Sequence, residues 1–316
     1  MTRVIYTGGE HGYIAASEIL KGIAEVVQVE AEPEILGEHL QTADAFLDAS
    51  MKVKITPEMF EGSPKLKMIS CATTGSDHID KNSAEKHGVD VRTLREDAEL
   101  LINITPAAEL SWALLMACTR KLKAAFKHVT DGKWSREEFP GVMLKGKSLG
   151  LVGCGRIGGW MAKYAQAFGM EVIGYDPFLK SFPSNIKPTT LEKIFDLSDF
   201  ISVHVHLSDD TSGLVSEKLL NRCKKGVVII NTSRGQIIDE TALLNGLLSG
   251  HIGAAGLDVL TGEPEISNHP LVEYARMNDN LLITPHCGGY SPDSLSLVCA
   301  RAAEKIKNKL LYQNLE

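Results

Sequence analysis

Leu149-Gly-Leu-Val-Gly-Cys-Gly-Arg-Ile-Gly158, continued by a helical stretch ending near Phe168 and by Glu171-Val-Ile-Gly-Tyr-Asp176, is the part of the chain that decides the fold. An apolar run, a glycine turn, a helix and a second apolar run stopping at an acid read as strand, helix and strand. Gly153 and Gly155 let the backbone turn tightly and approach a pyrophosphate, and Gly158 lets the helix pack close to the strand. The N-terminus of that helix faces the negative charge. Asp176, eighteen residues beyond Gly158, is placed to accept hydrogen bonds from the adenosine ribose hydroxyls. An acid there repels a 2′-phosphate, so the expected cofactor is NAD and not NADP. Glycine turns also arise for steric reasons alone, but here the flanking strands, the helix and the terminal acid are all in place.

Composition sets the outer limits. With 316 residues and 44% hydrophobic content the chain can bury a sizeable core, and two domains are expected. A net charge of −7 and a pI near 5.8 leave no broad basic surface, so neither nucleic acid nor an anionic membrane is an expected partner. Met1-Thr2-Arg3 runs straight into Val4-Ile5-Tyr6, and no stretch reads as the eighteen or so apolar residues that span a bilayer. A cytoplasmic protein is expected. Six cysteines without a CxxC pair read as reduced core thiols and not as disulfides or metal ligands.

Outward from the glycine turn, apolar runs alternate with helical stretches. Arg3 to Thr7, Ala45 to Leu47, Lys67 to Cys71 and Val89 to Arg92 read as strands, with helices at Ala15 to Ala24 and Ser83 to His87. They predict a first α/β unit of about ninety-five residues. Thr105-Pro106 predicts the start of an apolar helix through Arg120, with threonine as N-cap and proline in the first turn, whose apolar surface could line an interface. Further strands are expected at Phe200 to Val205, Gly226 to Asn231, Gly253 to Val259 and Asn280 to Thr284. With the two around the glycine turn they make six, enough for a doubly wound parallel sheet with helices on both faces. The last helix, Pro292 to Leu311, has no strand left to pair with there and is expected to return to the first unit.

Three polar groups fall just past consecutive strand ends: Arg234, Glu263 and His286. The carboxyl ends of the strands form the ligand crevice of an open parallel sheet. Oxidising an alcohol needs a base for the hydroxyl proton, and an imidazole exchanges protons near neutral pH, so His286 is the expected base. Glu263 beside it would fix the ring and keep an acid available for the reverse reduction. Arg234 would hold a substrate carboxylate with paired hydrogen bonds and polarise the adjacent carbonyl without a metal.

These motifs resemble the NAD-dependent D-2-hydroxyacid dehydrogenases. The resemblance rests on Gly150 to Gly158, Asn231-Thr-Ser-Arg-Gly235, Leu257-Asp258-Val259 with Glu263-Pro264, and Thr284-Pro-His-Cys-Gly-Gly289. It also takes in Gly75-Ser-Asp-His-Ile-Asp80 and Trp134 to Gly146, and so nearly the whole chain. It implies two Rossmann-like doubly wound domains: a flavodoxin-like substrate domain of residues 1–98 and 290–316, and an NAD-binding domain of residues 99–289. It implies catalytic roles for Arg234, Glu263 and His286. It adds pyrophosphate contacts from the backbone at Arg156 and Ile157, Thr232 on the nicotinamide side, and Asp258 at the carboxamide. A homodimer acting on a small 2-hydroxy or 2-keto acid is implied as well. The loop Ser70-Cys-Ala-Thr-Thr-Gly-Ser-Asp77 would hold the substrate carboxylate through backbone N–H groups around Thr74 and Gly75, although the family has glycine where Thr73 stands.

The pattern is nearest the phosphoglycerate dehydrogenase-like subgroup, which makes 3-phosphoglycerate a candidate substrate beside glyoxylate and hydroxypyruvate types. The arginine of that subgroup has no counterpart in Asp48-Ala-Ser-Met-Lys52, where Lys52 or Lys54 are the available cations, and no regulatory domain is expected after Glu316. Competing readings are an NAD-sensing, corepressor-like binding protein and a formate dehydrogenase, which lacks the glutamate matched by Glu263. His204 and His206 form an HxH pair without an evident third ligand, so no metal is expected. Cys287 reads as a structural or cofactor-side thiol and not a nucleophile, and His78 as a loop residue or substrate contact.

Overall fold

The computed structural model describes residues 2–312. The chain parts into two compact units, Met1–Ile104 with Tyr290–Glu316, and Thr105–Gly289. Residues 313–316, within the expected substrate domain, lie outside the described residues.

In the first unit five parallel strands, β1 (Arg3–Thr7), β2 (Glu25–Gln28), β3 (Ala45–Asp48), β4 (Met68–Cys71) and β5 (Asp90–Arg92), lie in the order β2-β1-β3-β4-β5. Alternation sends Val4, Tyr6 and Leu47 to one face, against Ala16 and Leu20 of the helix Glu10–Leu20 and Cys299, Ala302 and Ile306 of the helix Pro292–Tyr312. Ile5, Phe46 and Ile69 go to the other face, against Leu36, Leu40 and Phe60. The last helix thus belongs to this unit. β2 escaped the sequence reading because none of its residues is fully buried, so it carries no continuous apolar run. The first helix begins five residues before the expected Ala15, at Glu10. Its Gly12 lies where a Cβ would collide with the Tyr6 hydroxyl and Cys299 Sγ, so glycine here serves close packing.

The second unit carries seven parallel strands, β6 (Ser148–Val152), β7 (Glu171–Tyr175), β8 (Lys187–Pro188), β9 (Phe200–Val203), β10 (Val227–Asn231), β11 (Ile252–Leu257) and β12 (Leu281–Ile283). Their order is β12-β11-β10-β9-β6-β7-β8, with the direction of winding reversing between β6 and β9. Six were expected. The seventh, β8, is a two-residue exposed edge strand ending in proline, which suits an edge and gives no apolar signal. Val152, Ile201, Ile229 and Ala255 build one face of the core and Leu149, Leu151, Phe200 and Ile230 the other.

The helix Pro106–Thr119 differs from expectation in two ways. Its N-cap, Thr105, makes no capping bond to the backbone; the hydroxyl donates to Glu109 Oε1 instead. Its apolar face, through Leu114, Leu115 and Cys118, is part of this unit's own core. By length and composition the stretch Ala98–Thr119 is apolar enough to cross a membrane, which corrects the reading that no stretch was. It is not one continuous rod, because Ala98–Leu101 and Pro106–Thr119 are separate helices. At 1.5 Å per residue the longer reaches about 21 Å, short of the roughly 30 Å of a bilayer core.

Candidate functional site

β6 ends at Val152, and Gly153 takes φ +92 with its N–H donating to the Tyr175 carbonyl at 2.8 Å. A side chain here would run into the His204 carbonyl, and one at Gly158 would run into the Gly153 carbonyl, so both positions need glycine for backbone contact. Gly155 is the N-cap of the helix Arg156–Ala167, with no side chain capping the turn and open space where its own Cβ would be. Backbone N–H groups at a helix N-terminus beside an open cradle suit a pyrophosphate. Asp176, just past β7, reaches back over this turn. Its Oδ2 accepts from Cys154 N at 2.9 Å and its Oδ1 from Phe178 N at 3.0 Å. The carboxylate therefore stiffens the glycine turn. Thr232, after β10, exchanges a hydrogen bond with Ser111 at 2.7 Å. These residues fit a dinucleotide.

Arg234 sits on a turn shaped by Asn231, whose Nδ2 donates to the Arg234 carbonyl at 2.9 Å and whose Oδ1 accepts from Ser233 N at 3.0 Å. The guanidinium donates to the Ser233 carbonyl at 2.8 Å. Gly235 lies against the backbone of Leu260 and Thr261, where no Cβ would fit, so this turn abuts the loop that carries Glu263. Glu263 Oε2 accepts from Leu260 N at 3.3 Å, and its Oε1 lies 2.6 Å from His286 Nδ1. A carboxylate only accepts, so Nδ1 carries the proton and the lone pair of the neutral ring is left on Nε2. Both side chains remain accessible, His286 at 37% and Glu263 at 29%, so the pair can meet a ligand.

The backbone of His286 is left-handed, φ +51, a conformation that persists only where the surroundings impose it. Asp258 imposes it. Its carbonyl accepts from His286 N at 2.9 Å, Oδ1 from Cys287 N at 3.0 Å, Oδ2 from Gly288 N at 2.7 Å, and Oδ1 also from the Thr284 hydroxyl. With Asp258 only 1% exposed, Asp258→Asn would turn amide hydrogens toward backbone N–H groups that need an acceptor. The expected cost is about 1–3 kcal/mol, or a melting temperature lower by roughly 2–10 °C in a thermal scan. An unchanged melting temperature would show that these bonds do not anchor the loop.

Sequence reading missed two residues beside this loop. Glu240 Oε1 accepts from Thr261 N at 2.9 Å, and its Oε2 lies 3.1 Å from His269 Nε2. They brace the Glu263 loop from outside, and only their distance in sequence hid them. His204 is half-buried and bonded to Ser202 at 2.7 Å; desolvation pushes its imidazole down to about 3, so it stays neutral. His206 is exposed. Burial, then the Asp258 charge, raise the Cys287 thiol, which disfavours a reactive thiolate. Thr74 and Gly75 belong to the other unit, where the Thr73 hydroxyl donates to the Gly75 carbonyl at 2.9 Å and Leu94 N to the Thr73 carbonyl at 2.8 Å. The threonine in place of the family's glycine therefore pins this loop from within.

Residues 112–288 match the family model for the D-isomer specific 2-hydroxyacid dehydrogenase, NAD binding domain. The hydroxypyruvate reductase of Thermotoga maritima is 34% identical over 301 residues, covering 92% of this chain and 95% of that protein. The D-3-phosphoglycerate dehydrogenase of Rattus norvegicus is 35% identical over 297 residues, covering 92% of this chain but 54% of that protein. The chain thus spans about half the length of the curated D-3-phosphoglycerate dehydrogenases that it matches. Among solved structures, the D-lactate dehydrogenase of Aquifex aeolicus, complexed with NAD and lactic acid, is similar at a TM-score of 0.83 and 26% identity, over 96% of this chain and 94% of that one.

Proposed function

The chain belongs to the D-isomer specific 2-hydroxyacid dehydrogenase family, and on that premise we propose that it interconverts a small D-2-hydroxyacid and its 2-keto acid. The observation that carries the reading is the Glu263–His286 contact at 2.6 Å, on loops just past β11 and β12 of the NAD-binding unit. NAD, when bound, accepts or supplies the hydride at the substrate C2. His286 Nε2 takes the hydroxyl proton in oxidation and returns it in reduction. Glu263 holds the tautomer that leaves Nε2 available and supports the charge that the ring takes on. Arg234 orients the substrate carboxylate by its planar fork. In the first unit, the backbone around Thr74 and Gly75 offers N–H donors that suit an acid. Asp176 favours NAD by repelling a 2′-phosphate.

For the substrate we favour the hydroxypyruvate and glyoxylate type over 3-phosphohydroxypyruvate. The hydroxypyruvate reductase relative matches over almost its full length. The segment after β3, Ala49-Ser-Met-Lys-Val-Lys54, has no arginine, and its two lysines are exposed, so no preformed cation site for a phosphate stands there. A homodimer is part of the same reading, supported by exposed apolar side chains at Phe126, Trp134 and Met143 of the second unit.

The test is oxidation of NADH by the purified protein with a panel of 2-keto acids. Hydroxypyruvate and glyoxylate are expected to turn over faster than 3-phosphohydroxypyruvate. The reverse ranking would overturn the substrate assignment. NADH binding without turnover of any acid would overturn the activity and favour the NAD-sensing reading.

A further inference from the structure

We infer that Asp48 and His78 are positioning residues that hold the substrate-binding loops of the first unit in shape. The inference rests on the dehydrogenase reading above for its kinetic consequences and on the fold alone for its structural ones.

Asp48 closes β3, flanked in register by Thr7 at the end of β1 and Cys71 at the end of β4. The winding of this sheet reverses between β1 and β3, the kind of place where loops at the carboxyl ends of strands gather round a ligand. Asp48 is only 2% exposed, yet it ties all three strand-end loops together. Its Oδ1 accepts from the Thr7 hydroxyl at 2.9 Å, from Ser50 N at 2.9 Å and from Met51 N at 3.1 Å. Its carbonyl accepts from Ala72 N at 2.8 Å. Its Oδ2 lies 2.6 Å from His78 Nε2, with both side chains over nine-tenths buried. The segment containing Thr74 and Gly75 is therefore fastened to one residue at both ends, by its main chain at Ala72 and by its side chain at His78. The opposite loop is fastened at Met51, whose φ of +54 needs such a restraint.

Burial alone would raise the Asp48 carboxyl, but the hydrogen bond and charge of His78 and the amides of Met51 and Ser50 outweigh it and hold the group below its ordinary value. It is a buried carboxylate kept charged by its partners. Ion pairs of this kind seldom add net stability over an apolar filling of the same volume, so their use here is better explained by the geometry they impose. Cys71 completes a trio of possible metal donors whose atoms lie within 4.8 Å of one another. Two ligands of one tetrahedral zinc stand about 3.4 Å apart, so the 2.6 Å contact between Asp48 and His78 is a hydrogen bond that would have to open before an ion could enter.

The pair is tested with His78→Leu and His78→Gln, the second returning an N–H near the position of Nε2. Two readouts are needed: KM and kcat for the best 2-keto acid, and hydrogen exchange of residues 49–52 and 72–78 in the intact protein without substrate. In His78→Leu, KM is expected to rise roughly tenfold or more, the equivalent of losing one charged hydrogen bond, with kcat less affected and NADH affinity unchanged. Exchange should quicken in those two segments and not in the strands. His78→Gln should recover most of both. Unmoved KM and exchange would overturn the inference. So would faster exchange throughout the sheet β1 to β5 in both variants, which would mark a merely structural role. If the wild-type protein reduces no 2-keto acid, the dehydrogenase reading fails, and the exchange data still decide whether the pair shapes the loops.

Discussion

His286→Ala is expected to lower kcat by about 10²–10⁴-fold, the usual worth of a positioned acid-base group, while NADH affinity stays within a factor of about two by fluorescence titration. The reason is the separation of duties in the second unit. The dinucleotide features cluster at Gly153–Gly158 and Asp176, around β6 and β7, whereas the His286 ring lies past β12 and is held by Glu263 at 2.6 Å. Glu263→Gln should fall between wild type and His286→Ala, because an amide can still accept from Nδ1 but cannot support a charged ring. Turnover by His286→Ala at the wild-type rate would remove the histidine from the chemistry.

Arg234→Gln is the second large effect. A guanidinium fork on a carboxylate makes two charge-assisted hydrogen bonds, each worth about 1.5–3 kcal/mol, so kcat/KM for the 2-keto acid should drop roughly 10²–10⁴-fold. Arg234→Lys keeps the charge and loses the planar fork, so it should recover only part of that loss. The turn itself is held by Asn231 and by Ser233, whose hydroxyl donates to the Val203 carbonyl at 2.8 Å, and these bonds remain in both variants. Equal activity in Arg234→Lys and wild type would show that bidentate recognition is not what Arg234 supplies.

Whatever shows as a buried apolar run could be read from the chain. β1 was legible residue for residue, since Val4, Ile5 and Tyr6 are fully buried, and the glycine turn was legible because its spacing is dictated by local backbone geometry. β2 and β8 were not, since edge strands need no continuous apolar face. In the site, Arg234, Glu263 and His286 could be placed at strand tips and Glu263 beside the His286 ring, but which ring nitrogen meets the carboxylate of a residue 23 positions away could not. Asp258 and Asp48 show the limit most clearly. Each looks like an acid at the end of an apolar strand, and each spends its oxygens on loop amides that only the folded chain brings to it.

The helix Pro292–Tyr312 packs along Glu10–Leu20, with Cys299 against Gly12 and with Arg301 and Lys305 bound to Asp97. On the ribosome this imposes an order. The unit Thr105–Gly289 is unbroken in sequence and has all its strands once β12 has emerged. The unit that begins first is finished last: Ala16, Leu20 and Leu47 stay uncovered on one side until Ala302 and Ile306 are translated. For most of synthesis the nascent chain therefore presents a sheet with one greasy face to chaperones and proteases. Premature stops and frameshifts within the codons for the helix Pro292–Tyr312 should consequently be cleared as misfolded protein, although they leave every residue of the Glu263–His286 unit intact.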